Sequence, residues 1–344
     1  MPAEWERHEA TWIAWPHHEP DWPGKLEAVQ WVYTDIVRVL AAGERVEILC
    51  HDEHVLTQAR RCLDRTGVKQ DGYRLHLVPT DRCWLRDSAP TAVRTRDSQI
   101  VWIDWRFNAW AKYDNYHHDE RVPSAVERIS GLKRIEAKRP DTGQRLVLEG
   151  GALDTDGQGT LLVTEECLLS ETQLRNPALT REGYERAFAD YLGIRKVIWL
   201  GAGIAGDDTH GHVDDVARFA GPGRVVLAYE PDPGDLNHDA CVDNMRRLKQ
   251  SVDAVGRPLR VEMLPLPSPV VFDGERLPAS YANFYVANNA VLVPTFNDPK
   301  DRVALADLAE LFPSRQVIGI HARDLVWGLG TLHCLTQPQP AASA

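Results

Sequence analysis

Apolar positions along the chain gather into short β-rich runs that come in pairs, and each pair brackets a stretch with helical spacing. The first runs are RVEILC (45–50), QIVWIDW (99–105), GTLLVT (159–164), RVVLAY (224–229) and NAVLVPTF (289–296), starting 54, 60, 65 and 65 residues apart. The second runs are YRLHLVP (73–79), QRLVLEGG (144–151), RKVIWLG (195–201), RVEMLPLP (260–267) and RQVIGIH (315–321). The spacing predicts helices between them over 53–65, 117–138, 180–192, 236–255 and 301–311. A further helix is predicted over 25–42, with Leu26, Val29, Val32, Tyr33, Ile36, Val37 and Leu40 on one face and Gly43 as its C′ residue.

Five strand–helix–strand units predict an α/β fold. The units share no residue-by-residue identity, so the repetition is architectural. An open stack of repeats needs polar caps at its ends, which favours closure into a five-bladed, pseudo-symmetric α/β propeller. An open doubly wound sheet is the competing layout. The expected organisation is one domain over 1–338 and a flexible tail over 339–344, within the proline- and alanine-rich QPQPAASA (337–344).

Composition narrows the function. The chain has 344 residues, 43% of them hydrophobic, enough for a large core. Its net charge of −11 argues against a nucleic-acid partner; it suits a small cationic substrate, and equally serves solubility alone. No apolar run approaches the roughly 20 residues of a membrane-spanning helix. The start, MPAEWERHEATW, lacks the basic and apolar regions of a signal peptide, so a cytoplasmic protein is expected. Six cysteines without C-x-x-C spacing predict free thiols. Oligomeric state is left open.

The unusual polar clusters lie at or just after the second run of a unit: TDRCWLRDSAP (80–90), LEGGALD (148–154), GIAGDDTHGHVDDVARF (203–219) and DLVWGLGTLHCLTQ (324–337). A ring would bring such positions to one axis. The loop of the fourth unit shows no such cluster. In the first cluster, Trp84 and Asp87 suit a flat cation, through the indole face and paired hydrogen bonds; Asp87 paired with Arg86 is the structural alternative. Glu149 ends an apolar run before two glycines and needs a partner or a function. Asp207, Asp208, His210, His212, Asp214 and Asp215 read as a metal site, as a His212 acid/base beside Asp214, or as a solvated loop. His51 and His54 are placed at the far end of a strand, and His117–His118 at a solvated helix start. Cys334 is alone in its motif, with acids and a histidine that a ring would bring to it, which fits a nucleophile.

These motifs, with the opening MPAEWERHEATWIAWPH, DWPGK, LEGGALDTDGQGTLLVTEECLL, LRNP and LHCLTQ, resemble the agmatine deiminase and bacterial-type peptidylarginine deiminase family of guanidino-group modifying enzymes. The resemblance runs along almost the whole chain. It implies the five-bladed α/β propeller, Cys334 as nucleophile, His212 as general acid/base, and Asp87 and Asp214 as the guanidinium clamp. It also implies Trp84 and Glu149 as pocket lining and Asp208 near the substrate tail, with no metal and no organic cofactor. The implied reaction is agmatine plus water to N-carbamoylputrescine plus ammonia through a covalent thiouronium. Other arginine-type guanidines are the alternative substrates. A metal-dependent hydrolase and a non-catalytic guanidine binder are the readings outside that class. The chain departs from the family's GGNIHCITQQ at Gly328–Thr331, beside Cys334, where the substrate tail would be read.

Overall fold

The computed structural model describes residues 1–342. Its strands divide among separate sheets and not one doubly wound sheet. Four sheets repeat one arrangement: a central strand runs parallel to the last strand and antiparallel to the first. Their central strands are Ile100–Asp104, Thr160–Thr164, Arg224–Tyr229 and Ala290–Thr295. The fifth has four strands, with Gln337–Pro340, His8–Ala14, Arg45–Cys50 and Tyr73–Leu77 in order. A two-stranded hairpin, Val271–Phe272 with Glu275–Arg276, stands apart.

The five predicted first runs are all strands, and so are four of the five second runs. Burial explains their legibility: every residue of Ile100–Asp104 and Thr160–Thr164 is buried, and continuous apolar runs are what such strands require. The helices also follow their spacing. Leu26–Leu40 buries Val29, Val32, Tyr33, Ile36, Val37 and Leu40. Asp52 caps Glu53–Thr66 by accepting from the Val55 N–H at 2.8 Å, and left-handed Gly67 ends it.

Several expectations need correction. The run 144–151 is not a strand; Arg134–Glu136 pairs with Ile100–Asp104 instead. Within it Arg145 and Val147 form only isolated bridges, to Lys138 and Arg106, and Gly150–Ala152 is a single 3-10 turn. The backbone there is pressed against another loop: a Cβ on Gly150 would lie 2.2 Å from the Arg86 carbonyl. The helix predicted over 117–138 shrinks to Val122–Ser130, ended by left-handed Gly131, and that over 236–255 to His238–Lys249. Gly43 is not a left-handed C′ residue; it leaves room for Asn289, 2.9 Å from where its Cβ would lie. The supposed tail begins as a strand: Gln337–Pro340 pairs antiparallel with His8–Ala14 and joins the two ends of the chain. Ser343 and Ala344, the last of that tail, lie outside the described residues. His51 is not at a far end either. Arg45–Cys50 and Tyr73–Leu77 are parallel, so His51 Nδ1 sits 2.7 Å from the Thr80 carbonyl.

Among the described residues, no helix is long and apolar enough to cross a membrane. The six cysteines are unpaired.

Candidate active site

A cavity of about 250 Å³ opens where loops from several sheets meet. Cys334, Asp87, Trp84 and Asp208 line it, with Trp110, Tyr113, Asp21, Arg82 and the segment Trp327–Gly330. His212, Asp214 and Glu149 are not in its wall; they lie buried beneath it, His212 against Asp87, Asp214 against Cys334, and Glu149 one layer further behind His212.

Cys334 sits on the short helix Leu332–Leu335 and is 6% exposed. Its Sγ is 3.7 Å from Asp214 Oδ2 and 3.1 Å from Asn283 Nδ2. Burial pushes the thiol well above its ordinary range, and Asp214, Asp215 and Asp87 add to that. Two glycines make room beside it. A Cβ on Gly328 would lie 2.7 Å from Trp22, and one on Gly330 2.9 Å from Trp84. Leu329 between them is left-handed, at φ 68°.

Asp87 belongs to the one-turn helix Leu85–Ser88. Its Oδ2 accepts from Trp110 Nε1 at 2.9 Å and its Oδ1 from the Gly151 N–H at 3.0 Å. Trp110 is delivered by three consecutive left-handed residues, Ala109, Trp110 and Ala111, at φ 49°, 57° and 53°. Backbone strain of that kind persists where the surrounding structure imposes it. Burial pushes the Asp87 carboxyl up to about 6; His212 opposes the rise, and Asp214 and Glu149 reinforce it.

His212 lies between two carboxylates. Its Nδ1 is 3.8 Å from Asp87 Oδ1 and its Nε2 is 3.6 Å from Glu149 Oε2, both beyond hydrogen-bond length. Burial opposes its charge, but Asp87, Cys167 and Glu149 outweigh burial and hold the imidazole protonated well above its ordinary range. Glu149 Oε1 accepts from Arg175 Nε at 3.2 Å. Burial opposes its charge, but Arg175 and His212 together outweigh burial and hold the carboxyl below its ordinary range. Asp214 Oδ2 pairs with His333 Nδ1 at 2.7 Å, and His333 overcomes the effect of burial there too. Four buried atoms in this one region have no hydrogen-bond partner: Glu149 Oε2, both ring nitrogens of His212, and Asp214 Oδ1. Buried polar atoms are nearly always satisfied, so such a concentration marks a place built for a polar ligand.

At the mouth, Asp208 accepts from Tyr113 Oη at 2.7 Å and from Lys112 Nζ. Asp21 Oδ1 pairs with Arg82 and, at 3.0 Å, with His18 Nδ1, while its Oδ2 has no partner.

The acidic cluster 207–215 does not converge as one metal site. Asp207 caps the turn by accepting from the Thr209, Gly211 and His212 N–H groups. His210 is left-handed and bonds Ser170 Oγ at 3.0 Å, so the segment is a turn and not an extended strand. Two trios do bring potential ligand atoms within 4.8 Å: Glu149, Cys167, His212 and Asp214, Asp215, Cys334. In each, a carboxylate is already engaged, Glu149 by Arg175 and Asp214 by His333. Arg86 does not pair with Asp87; it turns to Glu4 at 2.8 Å. His117 is exposed and His118 half-buried, ahead of a 3-10 turn and a helix.

Sequence reading missed Asn283, Trp110, Gly151, Arg175 and His333. Asn283 had a signal, a polar residue inside the aromatic run SYANFY.

The model for the Porphyromonas-type peptidyl-arginine deiminase family matches residues 1–340. Agmatine deiminase from Ectopseudomonas mendocina (strain ymp) is 36% identical over 364 residues, covering 99% of this chain and 95% of the relative. The same enzyme from Pseudomonas aeruginosa (strain LESB58) is 36% identical over 361 residues, with equal coverage. The structure of agmatine deiminase of Enterococcus faecalis superposes with a TM-score of 0.90 at 32% identity, covering 100% of this chain and 96% of that one. The chain has the mixed α/β fold of those enzymes, and it belongs to the Porphyromonas-type peptidyl-arginine deiminase family.

Proposed function

We propose that the protein is a deiminase that hydrolyses agmatine to N-carbamoylputrescine and ammonia. The observation that carries this reading is that Cys334 and Asp87 in the wall of one cavity are backed directly by Asp214 and a protonated His212, with four buried polar atoms there unpartnered. A guanidinium presents a flat fork of N–H donors that carboxylates match. Asp87 and Asp214 hold its carbon before Cys334 Sγ, and Trp84 faces the wall. Agmatine deiminases among the relatives support the substrate. So does the mouth, where the cations Arg82 and Lys112 are each paired with an aspartate and Asp21 Oδ2 keeps an unused acceptor, which suits an amine tail better than a carboxylate.

In the resting site, burial and three aspartates keep Cys334 a thiol. The bound cation offsets those charges and favours the thiolate, and because His212 is already protonated the thiol proton passes to solvent. The sulfur lone pair forms a C–S bond and the C=N electrons move to nitrogen. His212 gives its proton to the departing –NH2, which leaves as ammonia, and an S-alkylthiouronium remains. A water then adds while His212 takes its proton. The C–S electrons return to sulfur as the adduct's hydroxyl proton passes to solvent, where the released ammonia can take it up, and the ureido product forms. Glu149, tied to Arg175, steadies His212 through this exchange, and Asp208 stands toward the tail.

We also propose that the five sheets stand as blades around a common axis. The cavity draws its wall from loops near residues 18–21, 82–87, 110–113, 208–209 and 327–334, which supports that arrangement and a single catalytic domain. Six unpaired cysteines suit a reducing cytoplasm.

The test is ammonia release from agmatine, free arginine and a peptide ending in arginine, with Cys334→Ala in parallel. Turnover of agmatine by the native protein and none by the variant is expected. Full activity in Cys334→Ala would refute the mechanism; preference for another guanidine would refute the substrate.

A further inference from the structure

The fourth unit, whose loop carries no catalytic cluster in sequence, supplies a side chain that touches the nucleophile. Asn283 is fully buried, and one end of its carboxamide lies 3.1 Å from Cys334 Sγ. Which end faces the sulfur follows from what faces the other. The His333 N–H approaches that atom at 2.9 Å, the Cys334 N–H at 3.4 Å and the Thr331 hydroxyl at 2.7 Å. Backbone N–H groups only donate, so that atom is the carbonyl oxygen. The –NH2 group must then point at sulfur.

The arrangement is rigid. Ser280 Oγ donates to the Asp215 carbonyl at 2.8 Å, and Tyr281 Oη to Asp301 Oδ1 at 2.6 Å, which fixes the segment ahead of Asn283. The carbonyl end of Asn283 in turn tethers the start of the helix that carries Cys334.

Building on the deiminase reading above, we propose that Asn283 is a further catalytic residue, whose carboxamide N–H donates to Cys334 Sγ and holds the nucleophile charged and aimed into the cavity. Burial and the carboxylates around the sulfur all oppose its charge, so a fixed donor is worth most there. Asn283 gives up neither proton nor electrons. Its hydrogen bond weakens as the sulfur lone pair becomes the C–S bond, and reforms when those electrons return. It therefore raises the share of thiolate before attack and stabilises the thiolate that leaves at release.

The test reads the thiol without relying on turnover. Iodoacetamide alkylation of Cys334 is followed by peptide mass spectrometry as a function of pH, in the native protein, Asn283→Ala and Thr331→Val. Loss of a hydrogen bond to a charged group should raise the alkylation midpoint of Asn283→Ala by about one pH unit or more. Thr331→Val removes a donor to the carbonyl end alone and should leave the midpoint in place. An unmoved midpoint in Asn283→Ala, or an equal rise in Thr331→Val, overturns the proposal, the latter by making the residue a tether only. Should Asn283→Ala fail to fold, 15N-asparagine NMR of the intact protein decides. One carboxamide proton must shift with the alkylation midpoint and cease to do so in Cys334→Ala; if none does, Asn283 has no bond to the thiolate. Failure to turn over any guanidine, with these thiol results intact, would count against the proposed reaction and not against the Asn283–Cys334 bond.

Discussion

The backbone of Gly151 runs so close to His212 that a Cβ there would lie 2.5 Å from the ring Nδ1, and 2.8 Å from Asp87 Oδ1. The glycine is needed for space and not for an unusual φ. Gly151→Ala must push His212 or Asp87 aside, and displacements of that size at reacting groups cost about 100-fold in rate. We expect kcat to fall by at least that much. Steady-state kinetics on agmatine would show it, and near-native turnover would mean that the imidazole can move without loss.

Asp87 ties the reaction to pH. An ordinary aspartate is ionised above 3.8, but in the folded protein this one stays neutral until about 6. The proposed clamp needs its charged form. The acid limb of kcat/KM should therefore fall near pH 6, with activity lost below it, because that ratio reports the free enzyme. Bound guanidinium favours the carboxylate, so the limb of kcat should lie at lower pH. Superimposable limbs in the two profiles would contradict the clamp role.

Leu329 is left-handed between two glycines. Leu329→Gly and Leu329→Ala both lose the side chain, but only glycine relieves the backbone. The usual order should invert, with the glycine variant more stable than the alanine variant by about 1 kcal/mol. Urea denaturation of the pair would check this, and greater stability of Leu329→Ala would contradict it.

Glu4 joins the N-terminal segment to the site. Its Oε2 meets His333 Nε2 at 2.9 Å and Arg86 at 2.8 Å, and its Oε1 accepts from Arg218 and the Val286 N–H, each at 2.9 Å. Burial disfavours the carboxylate, but Arg218, His333 and Arg86 hold it well below its ordinary range. Its stabilising contribution is thus complete above about pH 4.5 and lost as pH falls through the lower folded value. Glu4→Gln breaks a buried ion pair and should cost about 3–5 kcal/mol at pH 7, with less difference in strong acid. Chemical denaturation at both pH values would reveal a constant difference if this linkage were wrong.

How much was legible from sequence depended on how local the cause was. QIVWIDW and GTLLVT declared themselves strands because burial on both faces demands continuous apolar runs. QRLVLEGG looked the same, yet its backbone is drawn against Arg86 from another loop. QPQP looked like a tail because nothing local announces a strand whose partner is His8–Ala14, over 300 residues away. Cys334, Asp87, His212 and Asp214 could be named because their types and neighbours carry chemistry. Trp110 and His333 could not, and Asn283 and Gly151 left only a polar residue in an aromatic run and a pair of glycines, since the part such residues play depends on what they are held against. The sequence by itself determined the alternation of strands and helices, the candidate reacting groups and the acidic character of the site. Tertiary structure decided which of those groups meet, which are held by partners, and which proton each carries. The reason is that periodicity is set along the chain within a few residues, whereas hydrogen bonds and burial at the cavity join segments that only the tertiary fold brings together.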